Sequence, residues 1–97
     1  MNRSKVASNL VKMTWMREHP AFITTDLDIN VIDWKTIDLQ EWTRSEKVLI
    51  EVLRFINCGE SLIRLSEINM LTEDEKRIVA LSLNMLYNDL GLEENLV

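Results

Sequence analysis

The chain has 97 residues, of which 46% are hydrophobic and 28% charged, and its formal net charge is −5. This balance argues against a disordered chain, because the aliphatic residues can bury enough surface to offset the loss of conformational entropy. Two Gly and one Pro argue against a β-sandwich or barrel, whose many turns need both. We therefore expect a single, mainly α domain over residues 1–97, a small helical bundle of three longer helices plus a short one.

The sequence also predicts where the protein resides. Its basic N-terminal part contains no uninterrupted apolar run of the kind found in secretory signals. No stretch approaches the roughly 20 apolar residues of a membrane span. The single cysteine, Cys58, excludes an internal disulfide and fits a reducing compartment. We expect a cytoplasmic protein that does not enter the membrane.

The first helix is predicted to run from about Ser4 to His19. Ser4 is an acceptable N-cap, and Pro20 disfavours a helical conformation in the residue before it. At about 100° per residue, Trp15 falls on the apolar face of this helix. Met16 falls among the polar residues, so we expect its side chain to be exposed.

Residues 21–37 have a different character. From Asp26 to Val31 polar and apolar residues alternate, which is the period-two pattern of a half-buried strand. The alternation slips at Ile32. The pattern therefore allows one or two short β-strands in residues 21–37, or one strand followed by an irregular segment.

Two Thr-x-x-Glu sequences, beginning at Thr43 and Thr72, fit the capping box at a helix start. In this motif the Thr hydroxyl and the Glu carboxylate each accept a backbone N–H bond from the other residue. The two boxes predict helices over residues 44–57 and 73–90. A short helical segment is predicted between them, over residues 61–69.

An internal echo surrounds these caps. With an offset of 29 residues, positions 38–52 and 67–81 carry identical or chemically similar residues at most of the aligned sites. The echo indicates either a duplicated unit or the common pattern that caps and amphipathic periodicity impose. Under both interpretations, Trp42 and Leu71, which precede the two Thr caps, are expected to anchor the chain as it enters each helix.

The helix predicted over residues 44–57 has one clean apolar face. Lys47, Glu51 and Arg54 fall on the opposite side, which we expect to face solvent and to carry weak ion pairs. Gly59 follows the helix and is a good C-cap, because glycine tolerates the left-handed conformation required there.

The titratable residues suggest no catalytic site. His19 stands at a predicted helix end, where a cation complements the free carbonyls, so capping is favoured over catalysis. Cys58 lies at a helix C-terminus, whose dipole disfavours a thiolate, and is expected to be a small packed side chain. The Asp26-x-Asp28-x-Asn30 sequence begins like a calcium loop, but a valine occupies the position that needs glycine. We expect no enzyme, no cofactor and no metal site.

DNA binding is the rival class of function. A basic first helix could contact phosphates and base edges, although the negative net charge counts against nucleic acid as a partner. The residues that would make these contacts are Arg3, Lys5, Asn9, Lys12 and Arg17.

The last predicted helix, over residues 73–90, is apolar around roughly 260° of its circumference at about 100° per residue. Such a helix is either packed by its own domain on most sides or uses one face for the core and another for a second chain. Homodimerisation through this helix is the simplest way to cover the second face, because one patch then serves both partners.

These features together predict a function class. Small size, acidity and the lack of catalytic residues are in the style of the accessory proteins of bacteria, phages and plasmids. We expect a non-enzymatic protein-interaction module, an inhibitor, adaptor or regulatory subunit that acts by surface binding. Aromatic and Met side chains supply much of the contact energy at such surfaces. The expected contact residues are Leu83, Met85, Tyr87, Leu90, Trp15 and Met16.

Overall fold

Four α-helices and three short 3-10 helices build the part of the chain that the structure, a computed structural model, describes: residues 3–22, 32–60 and 64–90. No strand occurs within those ranges, and the prediction of a mainly α fold is confirmed. The α-helices are α1 (Arg3–Lys12), α2 (Trp34–Asp38), α3 (Arg44–Cys58) and α4 (Glu73–Leu90), and the 3-10 helices span Trp15–Glu18, Pro20–Phe22 and Leu65–Met70.

The helices α1 and α3 run antiparallel and form the centre of the bundle. At one end, the Arg3 guanidinium donates hydrogen bonds to the carbonyls of Phe55 and Ile56 near the end of α3, at 2.9 and 3.0 Å. At the other end, Trp15 lies 5.8 Å from Trp42, which precedes α3 (ring centroids). Both helices and α4 contribute to one aliphatic core, whose fully buried side chains include Leu10, Met16, Ile37, Leu49, Leu53, Ile56 and Leu86.

The first helix is shorter than predicted, because it ends at Lys12 and not at His19. Thr14 adopts an extended backbone, and its hydroxyl donates to the carbonyl of Leu10 at 2.9 Å, which offers the chain an alternative to helical bonding. A 3-10 turn follows and ends before Pro20. This break changes the direction in which the following side chains point, so that Met16 is completely buried. The prediction that Met16 is exposed is wrong.

The described parts of the segment predicted to contain strands are helical or irregular. Residues 20–22 form a 3-10 turn, and α2 begins after Asp33. Asp33 caps α2, because its Oδ1 accepts from the backbone N–H of Thr36 at 3.1 Å and its Oδ2 accepts from the Thr36 hydroxyl at 2.6 Å. Local capping therefore prevails over the β-branched composition here. The prediction of strands is wrong for residues 21–22 and 32–37, and its remainder lies outside the described residues.

Both predicted capping boxes are present at the starts of α3 and α4. The backbone N–H of Thr43 donates to Glu46 at 2.8 Å, and the Glu46 N–H donates to the Thr43 hydroxyl at 3.2 Å. The corresponding distances for Thr72 and Glu75 are 2.9 and 3.1 Å. The two helices begin with the same hydrogen-bonding pattern.

The residues around these caps also behave as the sequence indicates. Leu71 is buried in the core, and Trp42 packs against the core while its indole N–H donates to the carbonyl of Ile37 at 2.8 Å. Gly59 ends α3 with a φ of 83°, in the left-handed region that favours glycine. The bounds of α3 and α4 differ from the predicted ranges by no more than one residue.

The segment between α3 and α4 contains a 3-10 helix over Leu65–Met70, which overlaps the short helix predicted over residues 61–69. Residues 61–63 lie outside the described part. The lead-in to α3 is α-helical and the lead-in to α4 is 3-10, so the two echoed segments share a cap but differ in the preceding structure. Duplication stays a prediction. Within the described ranges, no helix combines the length and the apolar character that crossing a bilayer requires.

Candidate functional site

Among the described side chains of α4, those that are fully buried form a single line. Val79, Ser82 and Leu86 are buried, and their spacing of three and four residues places them on one side of the helix. Two large apolar side chains of the same helix remain exposed, with 49% of Leu81 and 38% of Tyr87 accessible to solvent. The apolar arc of α4 is therefore only partly covered by the described part of the chain.

Four apolar side chains on the flanks of α4 form two pairs. Leu81 and Met85, four residues apart, lie on one flank of the buried line, whereas Leu83 and Tyr87 lie on the other. In each pair one side chain is exposed and the other, Met85 or Leu83, is half-buried against the core. An exposed polar stripe separates the two flanks on the outer side; it comprises Glu73, Arg77, Asn84 and Asn88. The side chain of the remaining candidate, Leu90, lies outside the described residues.

The candidates from the N-terminal part belong to other surroundings. Trp15 is half-buried, and its ring neighbours are His19, Phe22 and Trp42, with centroids 6.1, 5.9 and 5.8 Å away. None of these neighbours lies on α4. Met16, which is buried, cannot contact a partner without unfolding of the core. The structure places Leu83 and Tyr87 on one flank of α4, Met85 on the other flank, and Trp15 in a separate aromatic cluster.

His19 has a structural role that differs from the predicted capping by a cation. Its Nδ1 accepts a hydrogen bond from the backbone N–H of Ala21 at 3.1 Å. The imidazole also packs on Trp42, with ring centroids 4.7 Å apart. These contacts fix the turn that leads to Pro20. His19 lies beyond the end of α1 at Lys12, so it does not cap that helix.

A charged cleft between α2 and α3 is the feature that the sequence did not predict. Arg54 of α3 joins the two helices, because it donates to Asp38 of α2 at 2.5 Å and to Glu51 of α3 at 2.8 Å. Its guanidinium carbon also lies 4.7 Å from the ring centroid of Trp34, within the range of a cation–π contact. The hydrogen bond to Asp38 is the main reason that the pKa of Arg54 is raised above its ordinary value.

Glu51 lies inside this arrangement and is only 5% exposed, although its position on α3 predicts a solvent-facing side chain. The prediction fails because α2 and the segment after it cover the polar side of α3, which a helical projection of α3 alone cannot indicate. Next to Glu51 a cleft of about 120 Å³ opens to solvent; its lining residues are Asp38, Gln40, Trp42, Lys47, Ile50, Glu51 and Arg54. A hint in the sequence was available, because two tryptophans, Trp34 and Trp42, flank two acidic residues just before α3.

The basic side chains of the predicted DNA-contacting face have different surroundings. Arg3 caps the end of α3 and lies 6.0 Å from the ring of Phe55. Arg17 pairs with Glu18 at 3.6 Å on the surface, and Lys5 also has an interaction within the protein. Lys12 is exposed. Arg3 is therefore held within the fold, whereas Lys5, Lys12 and Arg17 are exposed.

Cys58 is exposed at the last residue of α3, so the prediction of a packed side chain is wrong. Asn57 donates to its sulfur at 3.6 Å. Within the described residues no three His, Cys, Asp or Glu side chains lie close enough to hold a metal ion.

The geometry of this chain therefore provides two candidate surfaces, the exposed flanks of α4 and the charged cleft between α2 and α3. Comparison of the chain with protein-family models, with curated proteins and with solved structures finds no match.

Proposed function

We propose that this protein is a non-enzymatic interaction module that binds a protein partner through the exposed apolar flanks of α4. The observation that carries the proposal is the pair of exposed side chains, Leu81 and Tyr87, on a helix whose opposite side is buried. Each of them continues into the core through a half-buried neighbour at a spacing of four residues. A partner that covered either flank would extend an apolar surface that already packs well.

A second copy of the chain is the simplest partner. One apolar flank can face its own symmetry mate, and no further chain is then needed. The inhibitor, adaptor or regulatory roles expected from the sequence all use the same surface against a different protein. We propose cytoplasmic action, in keeping with the single exposed cysteine.

The experiment is a light-scattering measurement of molar mass over a range of protein concentrations. For the wild-type chain we expect a dimer at high micromolar concentration. Tyr87→Glu and Leu81→Glu each place a charge on one flank of α4, so the variant at the interface should become monomeric. Ser45→Glu adds the same charge to an exposed position of α3 and is expected to leave the dimer intact. Far-UV circular dichroism verifies that all three variants remain folded.

Three results distinguish the alternatives. In the first, the wild-type chain is a monomer that recovers one stoichiometric protein from the lysate of its source cell, and one of the flank variants loses this recovery. The chain is then still an interaction module, and the recovered protein is its partner in place of a second copy. A monomer with no such partner contradicts the proposal. Binding to duplex DNA that weakens steeply with salt, and that is unaffected by the flank variants, supports the rival function. The hydrogen bonds that hold Arg3 of α1 at the end of α3 argue against that rival.

A further inference from the structure

The cleft between α2 and α3 contains an unusual carboxylate. Glu51 is only 5% exposed, and one of its oxygens, Oε2, accepts from Arg54. No other hydrogen bond to the Glu51 carboxylate occurs among the described residues, although an ionised carboxylate can accept about four. Among the described residues, every fully buried side-chain nitrogen or oxygen has a hydrogen-bond partner. Since Oε1 of Glu51 has none, it is not fully buried and is reached by solvent. Because Glu51 lines the cleft, this access runs through the cleft.

A cation stands at the same cleft. Lys47 is exposed, lies one helical turn before Glu51 and lines the cleft with it. None of the ion pairs formed in the described part of the chain includes Lys47. By contrast, both oxygens of Asp38 are occupied by Arg54. The Lys47 ammonium group and Oε1 of Glu51 are therefore the charged groups of the cleft that no hydrogen bond or ion pair of the described residues uses.

The remaining lining restricts the size and polarity of a ligand. Ile50 is buried at the cleft wall and Trp42 presents part of its indole, so a small apolar group can lie beside the two charges. The volume of about 120 Å³ is of the same order as the cavity of about 150 Å³ that accepts benzene in another protein. A ligand of about six non-hydrogen atoms fills this space.

We propose that this cleft binds a small zwitterion, a free α-amino acid of about the size of alanine. The ligand carboxylate accepts from the Lys47 ammonium group, and the ligand ammonium group donates to Oε1 of Glu51. The apolar side chain lies against Ile50 and Trp42. Because one ligand group pairs with a cation and the other with a carboxylate, the site selects for ligands that carry both charges. The proposal is independent of the α4 surface.

The test is a titration of the ¹⁵N-labelled full chain with L-alanine, followed by the indole N–H resonance of Trp42. The three indole resonances are assigned by Trp→Phe variants. For so small a ligand we expect saturation with a Kd of about 1–10 mM. Propionate lacks the ammonium group and ethylamine lacks the carboxylate, so each should bind at least about tenfold more weakly.

Two variants examine the two charges separately. Lys47→Gln and Glu51→Gln are each expected to weaken L-alanine binding about tenfold. Lys47 is exposed, so its variant does not threaten the fold, and Lys12→Gln is a matched control on α1 that should bind as the wild type does. Thermal unfolding verifies that the Glu51 variant is folded at the temperature of the titration.

Several outcomes would overturn the proposal. The first is the absence of a saturable shift up to about 100 mM L-alanine. The second is equal binding of ethylamine or propionate, which would show that one charge suffices. The third is undiminished binding by Lys47→Gln. Failure here leaves the light-scattering result for α4 unaffected, because the two experiments concern different surfaces.

Discussion

The helices α3 and α4 begin with the same capping box, yet their surroundings differ. In α3 the apolar face lies in the core, and the opposite face is partly covered by α2, which Arg54 holds through Asp38. In α4 a single line of side chains is buried, and Leu81 and Tyr87 remain exposed on its flanks. The same capping box therefore begins both helices, but the described chain covers α3 on two sides and α4 on one.

This difference teaches where interactions with other molecules are to be sought. On α3 the second covering is intramolecular and uses charges, because Arg54 bonds both to Asp38 of α2 and to the buried Glu51. On α4 the exposed side chains are apolar, and burial of apolar surface stabilises by about 25 cal/mol per Å². A partner that covers them gains this free energy without having to desolvate charged groups.

The largest expected effect on stability comes from comparing a buried residue of α3 with an exposed residue of α4. Leu53→Ala in α3 removes a completely buried side chain and should lower the free energy of unfolding by about 2–5 kcal/mol. Leu81→Ala in α4 removes an exposed one and should change it by no more than about 0.5 kcal/mol in the monomer. Urea denaturation at low protein concentration measures both. Comparable losses in the two variants would mean that Leu81 is covered within the monomer.

The next effect concerns the ion pairs on α3. Arg54→Met leaves the buried carboxylate of Glu51 without its cation and should lower the free energy of unfolding by about 2–3 kcal/mol, less than for a wholly buried pair because the Arg54 side chain is 24% exposed. Arg77→Met on α4 breaks a pair with Asp74 that is exposed on both sides, and should cost less than about 0.5 kcal/mol.

A double-mutant cycle examines the cause of this loss. If the uncompensated charge is responsible, Glu51→Gln in the Arg54→Met background should restore part of the stability, and the two single losses should not add. Additive losses would indicate that Arg54 acts through its packing on Trp34, and the ion pair would then contribute little.

Elements with strong local signals could be predicted from the sequence. The caps of α3 and α4 depend on residues three positions apart, and Gly59 supplies the conformation that ends α3, so their bounds follow from short-range chemistry. The end of α1 could not be predicted in this way. There the hydroxyl of Thr14 bonds to Leu10 and the chain turns into a 3-10 helix, which places Met16 in the core.

The candidate surfaces were predictable to different degrees. Helical periodicity indicates that α4 has excess apolar surface, but the line that faces the core is determined by α1 and α3. The cleft depends on the position of α2 beside the polar side of α3. That position is fixed by a tertiary contact between Asp38 and Arg54, which are sixteen residues apart. Periodicity within α3 places Glu51 in solvent, and only the covering helix reverses that assignment.

The smallest expected effects are those that α3 and α4 should share. Thr43→Ala and Thr72→Ala each remove a hydroxyl that accepts one backbone N–H, at 3.2 and 3.1 Å, so each should lower the free energy of unfolding by about 1 kcal/mol. Because the caps form no common network, the double variant should lose about 2 kcal/mol in urea denaturation. Thr→Ser at either position keeps the acceptor and serves as the control. A much smaller loss at Thr72 than at Thr43 would show that the first turn of α4 frays in the monomer. The two helices would then differ in stability even at the capping boxes that they share.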